Sequence, residues 1–167
     1  SLAWSWSLLS PSEQSALAQC ALFVDGFDLE AAEAVVELTP ELGAPPLMVL
    51  LQSLRSRNLL RIRTPFPSGR RLSVPRLVRT FAVAHGNLDA LKSAELRMAR
   101  HFAQMGEEVQ IHRDRTGGVH RHRIAQLELA NIQRSFEWAI EHQHNTLAAL
   151  LSLAACALLR TTGPFDG

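Results

Sequence analysis

The chain has 167 residues, 47% of them hydrophobic and 20% charged, with a formal net charge of +1. A chain of this length buries roughly 70% of its unfolded surface without help from a disulfide or metal, and its composition excludes an intrinsically disordered protein. Two cysteines without redox or zinc spacing, no charged-then-apolar leader, and a longest apolar run (Leu147–Leu159) well short of the ~20 residues of a membrane span exclude a disulfide scaffold, a zinc module and a transmembrane protein. The expectation is a soluble, cytoplasmic, mainly helical chain with no membrane partner, in which Cys20 and Cys156 are reduced, buried thiols.

Leu2–Leu9, with Trp4 and Trp6, reads as a short helical lead-in that packs on the core of the helix after it. Ser10-Pro11-Ser12-Glu13 is a capping box with proline at the first helical position. The helix it opens carries Leu17, Cys20 and Ala21 at helical spacing and runs to about Leu22. Phe23–Phe27 is a turn built on Gly26. Asp28 then caps a second helix, Leu29–Val36, with acids in its first turns as the helix dipole favours. Thr39–Pro46 is a connector, and a third helix over about 47–57 places Leu47, Leu50, Leu51 and Leu54 on one stripe. Asn58 is a left-handed C-cap.

There the period changes from 3.6 to 2. Leu59–Arg63 alternates as a strand, with Leu60 and Ile62 on one face and Arg61 and Arg63 on the other, and Arg70–Val74 returns as its hairpin partner. Pro75 opens a helix to about Ala84 with Leu77, Val78 and Phe81 inward, ended by His85-Gly86. Helix, helix, helix and hairpin is the order of a winged helix-turn-helix domain. The fold class expected is therefore mainly α: a winged helix-turn-helix domain of three helices plus a β-hairpin wing over residues 1–86, then an α-helical repeat-like segment over residues 87–167. That segment comprises Leu88–Val109, a polar break at His112–His122, then Arg123–His142 and Thr146–Arg160 joined by a tight turn at Gln143–Asn145. A single helical pair of this kind closes its core poorly, so the chain reads as a truncated piece of a longer protein with further repeats.

Five stretches carry a family resemblance in one collinear order. Leu2–Gln14 and Ala21–Ala32 resemble the passage that opens the winged-helix domain of bacterial STAND-class signal-transduction ATPases and transcriptional regulators. Leu54–Arg61 is similar to that family's exit into the wing, and Leu77–Ala82 to its post-wing helix. Leu129–Ile140, with Asn131 and Trp138, resembles the start of the tetratricopeptide-like sensor region. The resemblance implies a cytoplasmic switch in which the winged helix packs on a nucleotide-binding domain of the same parent chain while the repeats sense a signal. In eukaryotic relatives a Met-His-Asp motif lets a histidine touch the β-phosphate of bound ADP. Val74, Pro75 and Arg76 stand at the matching positions, so the histidine is missing, and Arg76 or Arg79 is left to meet phosphate as a cation.

The chain has no phosphate-binding GxxxxGK[ST] loop and no supported nucleophile–base spacing, and is read as non-catalytic, without a cofactor or metal of its own. His112, His120 and His122 lie among Arg113, Arg115, Arg121 and Arg123, cations that oppose a divalent ion. The sharpest functional feature is a split of charge. Residues 1–54 hold seven acids and no Lys or Arg, whereas Arg55–Arg79 holds eight arginines and no acid: Arg55, Arg57, Arg61, Arg63, Arg70, Arg71, Arg76 and Arg79. These are the candidate phosphate- or partner-contacting residues. One reading docks them on an acidic surface or nucleotide of the nucleotide-binding domain, or on another protein. The alternative is a DNA-binding winged helix, with nucleic acid as partner. Against DNA, the third-helix face of Met48, Val49, Gln52, Ser53 and Ser56 holds few side chains able to read bases. A plain solvated face is the third reading.

Overall fold

The computed structural model describes residues 1–39, 44–64, 69–111 and 125–159. Among these the chain is mainly helical with a small two-stranded antiparallel sheet. The order is α1 (Leu2–Ser7), α2 (Pro11–Cys20), α3 (Leu29–Val35), α4 (Leu47–Ser56), β1 (Arg61–Arg63), β2 (Arg71–Ser73), α5 (Arg76–His85), α6 (Leu88–Ile111), α7 (Leu129–Glu141) and α8 (Asn145–Leu159). The chain divides into two compact units, one holding the described residues up to Arg97 and the other those from Met98 on, so that the division falls within α6. Gly86, the last residue of the first domain expected from sequence, is the C-cap of α5.

In the first unit, α2 is the hub. Ser10 Oγ accepts from the Glu13 amide at 3.2 Å, and the Ser10 amide donates to Glu13 Oε2 at 2.8 Å. The helix thus starts with two of its orphan donors satisfied. From Ala16 to Cys20 every side chain is buried, because α3, α4 and α5 all pack on α2. Asp28 Oδ1 caps α3 by accepting from the Ala31 amide at 2.8 Å. Leu50, Leu51 and Leu54 are the buried stripe of α4. Asn58, at φ 59°, turns the chain out of that helix while the Leu59 amide donates to the Leu54 carbonyl at 3.0 Å.

The hairpin pairs Arg61 with Ser73, Ile62 with Leu72 and Arg63 with Arg71. Phe27 adds an antiparallel bridge to Leu72, with amide–carbonyl bonds of 2.8 Å in both directions, so β2 is flanked on both sides. Gly26 makes this approach feasible. It sits at φ +87°, and a Cβ there would lie 2.8 Å from the Leu72 carbonyl oxygen. The next ring along stacks on its neighbour, with Phe23 and Phe27 centroids 4.5 Å apart.

Two inward-facing expectations are corrected here. Leu77 is exposed, because α5 packs on α2 through Val78 and Ala82, one position round the helix. Trp4 is exposed as well, whereas Leu9 is buried and Trp6 meets Phe81 edge-on at 5.9 Å.

In the second unit α7 and α8 pack extensively on one another. Their joint at His142–His144 uses Gln143 at φ 58°, and the Trp138 ring stacks on His142 at 4.7 Å and His144 at 5.1 Å. Instead of one helix from Arg123, residues 125–126 are helical, 127–128 form a turn, and α7 starts at Leu129. Buried Glu128 accepts from Asn131 Nδ2 at 2.7 Å at this start. Burial pushes the Cys20 thiol up to about 12, as a buried reduced cysteine requires. Cys156, by contrast, is exposed. Helix α8 has no charged residue and is apolar on every side, so periodicity does not say which side is covered. No helix of the described residues is long and apolar enough to cross a membrane. The expected polar break with His112, His120 and His122, and the segment from Arg160 on, lie outside the described residues.

Candidate functional site

The acidic half and the arginine half of the first unit fold against each other. Glu13 is the first meeting point. Besides its cap bonds it accepts the Ser53 hydroxyl at Oε1 at 2.5 Å, and Arg57 Nε stands 3.8 Å from the same oxygen. Burial pushes this carboxyl up, yet the hydrogen bonds from Ser53 and Ser10 and the charge of Arg57 outweigh it and hold the group below its ordinary value. Ser53, expected on the outer face of α4, is thereby drawn inward to Glu13.

The second meeting point is the turn Val24-Asp25-Gly26, where arginines from three elements take three consecutive residues. Arg79 of α5 donates through Nη2 to the Val24 carbonyl. Arg63 of β1 places Nη1 3.7 Å from Asp25 Oδ1. Arg71 of β2 donates through Nη2 to the Gly26 carbonyl at 3.0 Å. Antiparallel pairing of Arg63 with Arg71 sets both on one face of the hairpin, but β2 is covered and β1 is the edge. Arg71 is consequently 4% exposed, whereas Arg63 and Asp25 have side chains 63% and 65% exposed. Desolvation lowers the Arg79 pKa, Asp25 opposes that shift, and Arg79 Nε is buried with no hydrogen-bond partner.

Of the eight candidate arginines the structure brings Arg63, Arg71 and Arg79 to one turn and sets Arg57 on Glu13. Arg55, Arg61, Arg70 and Arg76 are exposed and make no ion pair or side-chain hydrogen bond with any described residue. Beside Arg55, the outer face of α4 leaves Met48 44% and Val49 49% exposed. A surface with apolar centre and guanidinium flank suits a protein partner carrying carboxylates.

One constellation had no counterpart among the candidates. Gln19 is buried in α2 and donates through Nε2 to the Glu37 carbonyl at 2.8 Å and to Ser15 Oγ at 3.1 Å, while its Oε1 accepts from the Glu37 amide at 3.0 Å. Arg97 donates to the same Oε1 and to the Val35 carbonyl, both at 2.9 Å, and pairs with Glu37 Oε2 at 2.8 Å. A groove of about 600 Å³ opens beside it, with Ser12, Ser15, Asn87 and Ser93 in its walls. The signal in the sequence is a glutamine inside an otherwise apolar helical run, a residue type that is seldom fully buried without partners. Its hydrogen bonds are all internal, and clamp the end of α3 to α2 and α6.

Among the described residues no group of three or more His, Cys, Asp or Glu side chains is placed to hold a metal. Comparison of the chain with protein-family models, with curated proteins and with solved structures gives no match.

Proposed function

We propose that the chain is a non-catalytic regulatory module of a larger cytoplasmic STAND-type signalling ATPase or transcriptional regulator. In this reading residues 1–86 are a winged helix-turn-helix domain that docks on the nucleotide-binding domain, and residues 87–167 begin a tetratricopeptide-like sensor. The succession α2, α3, α4 and hairpin, with an isolated bridge from Phe27 to Leu72 beside β2, supports this reading.

The observation that carries the docking role is the outer face of α4. In a DNA reader this face enters the major groove and carries side chains that hydrogen-bond base edges. Here it offers Met48 and Val49 to solvent with Arg55 at its end, and Arg61 and Arg70 stand uncommitted on and beside the hairpin. The test is nucleotide exchange in the parent protein carrying R55E, R61E and R70E together. Faster release of bound nucleotide is the expected result; unchanged exchange, or a parent sequence without a phosphate-loop lysine, sinks the reading.

Nucleic-acid binding is the second reading, favoured by the same uncommitted arginines. A salt titration against duplex DNA separates the two, because each neutralised phosphate steepens the dependence of affinity on salt. Affinity at low salt no better than that of a neutral protein removes DNA from consideration.

A further inference from the structure

The turn Val24–Gly26 holds three guanidinium groups and one carboxylate, Asp25, so its charge is not balanced from within. The carboxylate is also loosely held. Asp25 approaches Arg63 no closer than 3.7 Å, both side chains are mostly in water, and no hydrogen bond from its side chain is found among the described residues. Exposed pairs of this length contribute little to stability and exchange readily for a competing ion. Arg79, bonded to the carbonyl of the preceding residue, Val24, is worse off. Its guanidinium is partly desolvated, leans on one backbone carbonyl, and keeps a buried Nε without a partner. A partly buried cation compensated this incompletely favours a further anion.

Arg71 does not share this property. It is buried and bonded to Gly26, which makes it part of the frame of the turn. The exchangeable set is therefore Arg63 and Arg79, with Asp25 beside the first and next in sequence to the carbonyl that holds the second. Arg63 lies on the same strand as Arg61, two residue pairs along β1.

We propose that Asp25 is a placeholder: it holds, beside Arg63 and next to the Val24 carbonyl that Arg79 serves, the position that a carboxylate of the docking partner takes on binding. The inference rests on the docking reading above and adds to it a named competitor. Removing Asp25 then uncovers a two-arginine carboxylate site and strengthens binding of an acidic partner beyond the effect of net charge alone.

The experiment is fluorescence anisotropy of a labelled oligoglutamate peptide with the full chain at low ionic strength. D25N is compared with E30Q, which removes the same charge from an exposed position in the first turn of α3. The expected result is an affinity for D25N about threefold higher than for E30Q, the size of one surface ion pair set free. The double variant D25N/R63Q loses that gain. Equal affinities of D25N and E30Q overturn the placeholder, as does a gain that survives R63Q, or a gain as large for duplex DNA as for the peptide. No peptide binding by the unaltered chain overturns the docking reading itself, so the two failures are told apart. Urea unfolding of each variant confirms that folded protein is compared with folded protein.

Discussion

Arg71 Nη2 and the carbonyl oxygen of Gly26 lie 3.0 Å apart across 45 residues of sequence, and both residues are buried. The bond ties the hairpin to the turn between α2 and α3 at the point where Phe27 joins Leu72. A charged group removed from water this far has to keep its hydrogen bonds, and the carbonyl it serves has to keep its donor. The pair thus fixes the hairpin relative to the helices of its own unit.

Replacing Arg71 by Gln shortens the donor and removes its bond to the Gly26 carbonyl. The expected loss is about 1–3 kcal/mol of unfolding free energy, the range for a hydrogen bond made by a charged group. R61Q, at an exposed position two pairs along the hairpin with no side-chain hydrogen bond or ion pair to a described residue, is expected to stay within about 0.5 kcal/mol of the unaltered chain. Urea denaturation of both variants checks this; equal losses would mean that Arg71 carries no structural bond.

Glu13 supplies a dependence of stability on pH. Its carboxyl titrates below the ordinary value in the folded chain because Ser53, Ser10 and Arg57 favour the charged form. A group whose folded pKa is depressed stabilises the fold above its unfolded value, and that stabilisation disappears as the pH falls through the folded value. Stability is therefore expected to decline in the acid range, below about pH 4, and E13Q is expected to flatten that part of the profile while lowering stability at neutral pH. Urea midpoints across the acid range provide the measurement. A profile for E13Q parallel to that of the parent chain would remove Glu13 from the account.

What the sequence disclosed follows local chemistry. Ser10 and Glu13 declare a capping box, Asn58 a left-handed cap and the Leu60/Ile62 alternation a strand, because each is decided within a few residues. The placement of the arginines is decided elsewhere. Arg63 and Arg71 look alike in the sequence, and only the bridge of Phe27 to Leu72, which makes β2 the inner strand, buries one and exposes the other. Leu77 was expected inward because an apolar residue fits the stripe of α5 at either of two neighbouring positions, and packing on α2 selects Val78. The Gln19–Arg97–Glu37 clamp spans 78 residues and leaves no periodic trace.

The two thiols should separate cleanly. Cys156 lies on the exposed side of α8, whereas Cys20 is fully buried in α2 and its thiol is pushed up to about 12. The thiolate is the reacting species, so a buried, undissociated thiol is slow. One equivalent of fast-reacting thiol is expected with a disulfide reagent at neutral pH, moving to two on unfolding in urea, and C156S should abolish the fast phase. Two fast equivalents in the native chain would show that α2 is not packed as described.

In the second unit α6 and α8 approach closely at Gly106 of α6. A Cβ built there would lie 2.2 Å from the Cβ of Ala154, a buried residue of α8. Cβ atoms do not approach this closely, so a side chain at 106 has to push the two helices apart. G106A is expected to cost about 1–3 kcal/mol, as overpacking of a well-filled core does, despite the gain in helix propensity of about 1 kcal/mol that replacing glycine by alanine brings in a helix interior. The direction of the effect thus decides between packing and propensity. Ala154→Gly on its own is expected to destabilise through lost burial and propensity, but in the G106A background it removes the clash, so the double variant should lose less than the two single changes added together. Thermal or urea unfolding of the four proteins measures the coupling. Strict additivity, or a G106A chain more stable than its parent, would show that α6 and α8 are not in contact at this position.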